Sequence, residues 1–112
     1  TCIGYFLSTG KLSCVYLQNS GLGNAINPII SIAHKKVYSI PILLMIGWRG
    51  SPGIKDEPQH LVKGAITIKL LKLLNIKFCI LNNQNDFHKL GKLINFSKKN
   101  KVIVACLIRK NV

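Results

Sequence analysis

Acidic residues are scarce in this chain. There are 3 Asp and Glu against 16 Lys and Arg, a formal charge of +13. Such a balance raises nucleic acid, an anionic membrane or an anionic substrate as partners. The lysines are scattered, however, at positions such as Lys11, Lys35, Lys63, Lys77 and Lys92. With the many isoleucines and asparagines they read as drift towards AT-rich codons. The one cluster, Lys98, Lys99 and Lys101, reads as a solvated helix end. Nucleic-acid binding is therefore disfavoured, and an anionic substrate stays compatible with the charge.

Other absences narrow the field further. The four cysteines, Cys2, Cys14, Cys79 and Cys106, form no C-x-x-C pair, so a zinc site has no support. Cys14, Cys79 and Cys106 lie in apolar runs and are expected to be small buried hydrophobes in a reducing, cytoplasmic setting. No signal peptide is evident. The longest apolar candidate, Ile40 to Ile46, is too short to cross a bilayer. There is no internal repeat and no low-complexity tract. The chain begins at Thr1 rather than methionine, which reads as a truncated product.

What is present is an alternation of apolar strands and helices. The residue pattern predicts a helix over 2–9 closed by Gly10, and a strand over 13–18. A glycine-rich turn over 19–23 and a helix over 24–33 follow, with Pro28 tolerated only in its first turn. A strand over 41–46 leads to a long loop over 47–60 and a helix over 61–74. That helix is expected to bury Leu61, Ile66, Leu70, Leu73 and Leu74 on one face. A strand over 77–81, a helix over 86–99 and a strand over 101–108 complete the chain. Strands that are apolar almost throughout are buried on both faces. Alternation with helices implies an α/β three-layer sandwich on a mainly parallel sheet, and 112 residues suffice for one domain.

In such sheets ligands bind beyond the carboxyl ends of the strands. Two segments fall there. QNSGLGN, from Gln18 to Asn24, gives glycines directly after a strand and a helix start after them. It lacks the third glycine of a dinucleotide fingerprint and the Gly-Lys-Ser/Thr of a P-loop. GWRGSPGIKDEPQH, from Gly47 to His60, is long enough to be functional and gathers Trp48, Arg49, Asp56, Glu57, Gln59 and His60. His60 is a candidate for proton transfer near neutral pH, against the plainer role of a loop residue or helix cap. Arg49 could offer a forked contact to a phosphonate, sulfonate or carboxylate. Trp48 is expected to pack. His34 and His88 sit near lysines and are expected at the surface.

Together VYLQNSGLGNAINPIISIA, YSIPILLMIGWRGSPGIKDEPQH and GAITIKLL resemble the phosphonopyruvate decarboxylase family and its relatives, the sulfopyruvate decarboxylase alpha subunits. The resemblance runs from about Gly4 to Lys77. GWRG followed by DEPQH is its most specific part. It implies a carboxy-lyase that uses thiamine diphosphate and Mg²⁺. The chain, 1–112, would be a partial pyrimidine-binding domain lacking its first strand and helix. A second domain or subunit would hold the diphosphate and Mg²⁺ across an interface in a homo- or hetero-oligomer.

By the same resemblance His60 is the candidate for proton transfer, with Asp56 and Glu57 orienting it. Gly21, Gly23 and Asn24 form the turn beside the cofactor, and Arg49 meets the anion of a small 2-oxo acid. The family's pyrimidine-bonding glutamate falls on a helix ahead of Thr1, and the Gly-Asp-Gly and Asn pattern for the diphosphate is absent. The expectation is a chain inactive alone, of marginal stability or with a partner. Three readings follow: part of a phosphonopyruvate or sulfopyruvate decarboxylase, which is favoured; an inactive remnant that keeps the fold; and a small basic nucleic-acid-binding domain.

Overall fold

The computed structural model describes residues 1–109. Four strands form one parallel sheet: β1 (Ser13–Gln18), β2 (Ile42–Gly47), β3 (Lys77–Leu81) and β4 (Val104–Ile108), in the order β1-β2-β4-β3. β2 pairs with β1 from Ser13↔Ile42 to Gln18↔Gly47, and with β4 from Leu43↔Val104 to Gly47↔Ile108. The carboxyl ends of β1, β2 and β4 are therefore level, and the segments leaving them meet at one edge.

Side chains alternate across each strand, so the two central strands feed two cores. Ile42, Leu44 and Ile46 of β2 join Ala105 and Leu107 of β4 in one cluster with α1 (Cys2–Thr9), α2 (Leu22–Pro28) and α3 (Pro58–Leu73). Leu43 joins Val104, Cys106 and Leu81 in the other, under Leu90, Leu93 and Phe96 of α4 (Phe87–Asn100). This is the expected α/β sandwich. Among the described residues no helix is long and apolar enough to cross a membrane.

Local chemistry explains the boundaries. Gly10 closes α1 at φ 69°, and its N–H donates to the Phe6 carbonyl. Lys101 ends α4 at φ 51°, which shortens the last strand to 104–108. Asp86 accepts from the Asn82 N–H (2.9 Å) and pairs with Lys89 (2.5 Å), holding the chain as it enters α4.

Four expectations need correction. Pro28 is not in the first turn. α2 starts at Leu22, which is buried, and Pro28 is its last residue, followed by a π-helical turn over Ile29–Ala33. Pro28 has no N–H for the helical ladder, and the wider turn begins right after it.

α3 begins at Pro58, so His60 lies in its first turn and not in the loop. The helix buries Gly64, Thr67 and Leu71, while Leu61, Ile66 and Leu73 are exposed. The Trp48 indole and the Gly50 backbone lie against Gly64, and their approach fixes the helix by its small residue rather than by its leucines.

Finally, the edge strand β1 is not buried on both faces. Val15 and Leu17 of β1 point into the core, but Cys14 is exposed and Tyr16 is 74% exposed. α4 packs over β3, β4 and β2 and leaves that side of β1 open.

The thiols should therefore react in order. Burial first, and the neighbouring Cys79 second, push the Cys106 thiol up to about 12. In the native chain a maleimide should label Cys14 well before Cys106, with Cys106 labelled only on unfolding. Peptide mapping that found Cys106 modified under native conditions would refute this packing.

Candidate functional site at the carboxyl edge of the sheet

Asn19, the first residue after β1, is 93% hidden from solvent and binds two other elements. Its side-chain amide donates to the Arg49 carbonyl (2.9 Å) and to the Thr67 hydroxyl of α3 (3.0 Å). Its carbonyl oxygen accepts from the Arg49 N–H (3.2 Å). The Thr67 hydroxyl in turn donates a hydrogen bond to the Lys63 carbonyl (2.6 Å). One amide thus joins the ends of β1 and β2 to the middle of α3.

The loop after β2 crosses α3 at contact distance. Trp48 is buried; its N–H donates to the Ile108 carbonyl (2.8 Å) and its indole N–H to the Gly64 carbonyl (2.9 Å). Gly50 adopts φ +67°. A Cβ there would lie 1.9 Å from the His60 carbonyl oxygen, and a Cβ on Gly64 would lie 1.8 Å from the Gly50 carbonyl oxygen. Only two glycines permit this crossing.

Asp56 closes the loop. Its carboxylate takes the Arg49 fork, Nε at 2.8 Å and Nη2 at 2.6 Å, and accepts the N–H groups of Gly50 (2.8 Å) and Glu57 (2.9 Å). The Asp56 side chain is 5% exposed and the Arg49 side chain 40%. The Arg49 guanidinium foremost, with the two backbone donors, holds the Asp56 carboxyl well below the usual carboxylate range. Asp56 and its hydrogen bond likewise raise Arg49.

The expected site residues are therefore arranged differently from the sequence reading. Asp56 organises Arg49 and the loop backbone instead of orienting His60. Glu57 is exposed, and its backbone carbonyl accepts the His60 N–H (2.9 Å) at the start of α3. His60 is half-buried in that first turn. The Nε–Nη2 edge of Arg49 is taken by Asp56, while its side chain remains 40% exposed. Gly21, Gly23 and Asn24 lie together at the start of α2. Gly23 has open space where a Cβ would be, and Gly21 only an ordinary contact with Leu17 (3.7 Å). A cleft of about 150 Å³ lies beside this turn, lined by Asn19, Ser20, Gly23, Lys63 and Ile66 among others.

Two residues escaped the sequence reading. Asn19 sits inside the quoted QNSGLGN motif, but its partners are 30 and 48 positions away. Arg109 follows β4. Its N–H donates to the Leu81 carbonyl (3.2 Å), and its guanidinium donates to the Pro52 carbonyl and to Asn82 Oδ1 (3.2 Å). Its position directly after an apolar strand was the available signal.

A diphosphate held through Mg²⁺ needs hard oxygen ligands. Among the described residues no grouping of three or more His, Cys, Asp or Glu side chains could hold a metal ion. Asp56 is engaged by Arg49 and Asp86 by Lys89. The residues present do not fit the metal and diphosphate end of such a cofactor.

Fold and site together define a parallel α/β domain with a braced loop and a glycine turn at its carboxyl edge. Phosphonopyruvate decarboxylase of Streptomyces viridochromogenes is 44% identical over 77 residues, covering 69% of this chain and 19% of that protein. Sulfopyruvate decarboxylase subunit alpha of Methanococcus maripaludis is 40% identical over 91 residues, covering 81% and 52%. The same subunit of Methanothermobacter thermautotrophicus is 32% identical over 100 residues, covering 88% and 59%. The chain is thus homologous to the phosphonopyruvate and sulfopyruvate decarboxylases, the family whose motifs its sequence carries. It spans about a fifth of the length of the former and somewhat over half of the latter. No family model matches.

Gly64→Ala should destabilise the chain by about 3 kcal/mol, because the added methyl meets backbone and not a yielding side chain. Gly23→Ala, in open space on a helix, should stabilise by about 0.5 kcal/mol. Urea unfolding compares the two, and equal effects would contradict the crossing.

Stability should also fall in acid. Asp56 and Asp86 are both depressed, Asp86 to about 2 by Lys89 foremost and by the Asn82 N–H. A depressed carboxyl stabilises the fold above its unfolded value of about 4 and loses that contribution as pH drops through the folded value. The melting temperature should decline from pH 5 to pH 2, and less steeply in Asp56→Asn. An Asp56→Asn profile parallel to the parent would remove Asp56 from the account.

Proposed function

We propose that the chain is part of a 2-oxo acid decarboxylase that converts phosphonopyruvate to phosphonoacetaldehyde and CO₂, with sulfopyruvate as the alternative substrate. On this reading residues 1–112 are a partial pyrimidine-binding domain, and thiamine diphosphate and Mg²⁺ are carried mainly by another domain or subunit. One observation carries the reading: GWRG and DEPQH form a braced loop at the carboxyl edge of a parallel sheet, in a chain 44% identical over 77 residues to a phosphonopyruvate decarboxylase. The subunit names of the sulfopyruvate relatives support a partner chain.

The cofactor would supply the electron sink for CO₂ loss. The chain's own residues do the rest of what is proposed for it. His60, half-buried in the first turn of α3, holds or delivers a proton at the substrate. Asp56 keeps Arg49 and the backbone of 49–57 in one arrangement, and Glu57 starts the helix that presents His60. Gly21, Gly23 and Asn24, at the start of α2, would form the turn beside the cofactor.

The test is CO₂ release from phosphonopyruvate and from sulfopyruvate. The chain would be combined with a diphosphate-binding domain or subunit from a relative, thiamine diphosphate and Mg²⁺. Release should depend on all components, and His60→Ala should lower kcat about 100-fold with unchanged melting temperature. No release from either acid by a complex that forms would make the chain an inactive relative. Full activity in His60→Ala would remove His60 from the chemistry.

A further inference from the structure

In a parallel sheet each connecting helix runs back against its strands, so helix ends and strand starts share the amino edge. Here Ser13, Ile42, Lys77 and Val104 are level within one residue. Lysines gather at that edge. Lys11 precedes β1, Lys35 and Lys36 precede β2, and Lys98, Lys99 and Lys101 close α4 ahead of β4. Lys72 lies in the last turn of α3. Helix carboxyl ends favour cations, which is a physical reason for the placement. The three acids lie at the opposite edge: Asp56 and Glu57 follow β2, and Asp86 accepts the Asn82 N–H just after β3. Scattered along the sequence, these lysines are collected by the fold. Among the described residues the ion pairs are Arg49–Asp56 and Lys89–Asp86, and neither uses a lysine of the amino edge.

Two clefts open among these lysines. One, of about 260 Å³, sets His34, Lys35 and Lys36 around Ile29, Ile76 and Ile103. The other, of about 790 Å³, sets Lys11, Lys98 and Lys101 around Phe6, Leu12 and Ile94. The clefts adjoin at the entries of β2 and β4. Pro41 and Lys101 line the second, and Lys36 and Val102 line the first. The Ser39 hydroxyl ties these entries together by donating to the Lys101 carbonyl (2.6 Å). Val37 and Tyr38, on the same entry, are 49% and 65% exposed.

The chemistry of the edge selects its occupant. Unpaired lysines ask for negative charge, and apolar cleft floors ask for apolar side chains. A protein segment that mixes carboxylates with leucine-like residues supplies both. A nucleic acid would meet the lysines with its phosphates and leave the aliphatic floors unused. A second copy of a chain of charge +13 would be repelled. We propose that the amino edge docks an acidic, amphipathic segment of a partner protein, with apolar side chains in the two clefts and carboxylates on the surrounding lysines. This goes beyond the decarboxylase reading and does not rest on it, since the edge lies across the sheet from the candidate site.

The experiment is a titration of the full chain in about 0.15 M salt. Two peptides of about 15 residues serve as probes. One is Glu with Leu at helical spacing, and the other has Ser in place of each Leu. The Leu peptide should shift the amide resonances of Leu12, Lys36 and Val102 with one midpoint, while those of Gly23 and Arg49 at the carboxyl edge stay in place. The Ser peptide should bind at least about tenfold more weakly. The double variant Lys35→Glu, Lys98→Glu should weaken the Leu peptide about tenfold, and Lys69→Glu, Lys92→Glu, with the same net charge, should bind like the parent. Absence of a saturable shift, shifts centred on the carboxyl edge, or equal binding of the two peptides overturns the proposal, and the unaltered chain decides this even if a variant fails to fold. Equal weakening by both double variants also overturns it, since net charge alone would then account for binding. A single-stranded oligonucleotide that binds more tightly than the Leu peptide, with affinity falling steeply in salt, would make the edge a nucleic-acid surface instead.

Discussion

The site depends on the contact between Gly50 and Gly64. A loop leaving the central strand must pass over a helix that packs on the same sheet, and the two backbones meet with no room for a Cβ on either. The arrangement of the loop is set by that crossing. It places Trp48 under the loop with its indole on the Gly64 carbonyl, and it starts α3 so that His60 lies in the first turn. Close packing of this kind is intolerant of added volume, so small residues carry the geometry.

Polar groups then hold the crossing in one arrangement. Asn19 uses both faces of its amide to tie β1 to β2 and α3, and Asp56 spends its carboxylate on Arg49 and on backbone donors. A chain with three acids uses one of them for loop architecture rather than leaving it free for chemistry. Paired and forked, that carboxylate stays ionised well into acid. The scarcity of acids also bears on the proposed cofactor. With Asp56 and Asp86 committed to ion pairs, a metal-bound diphosphate, if the proposed function holds, would need ligands other than these two.

The fold was largely legible in the sequence. Apolar runs gave β1 and β3 to the residue and β2 within one residue, and Gly10 marked the end of α1. The helix over 58–73 was legible as a helix but not as a face. Its leucines suggested one stripe, while contact with Trp48 and Gly50 chose Gly64, Thr67 and Leu71. Cys14 looked buried because its run is apolar. Its strand lies at an edge, and edge position is a property of the sheet order, not of the strand.

The sequence by itself determined the α/β alternation, the two segments at the carboxyl ends of β1 and β2, and the kinship those segments carry. These are local patterns, or short motifs read in order, and neighbouring residues suffice to write them. Tertiary structure alone decided who pairs with whom. Asp56 meets Arg49 rather than His60, Asn19 reaches Thr67 across 48 positions, and Arg109 comes to Pro52 across 57. Hydrogen bonds act over about 3 Å, whatever the separation along the chain. Only the closing of the sheet brings such groups within reach, so no reading of spacing could supply them.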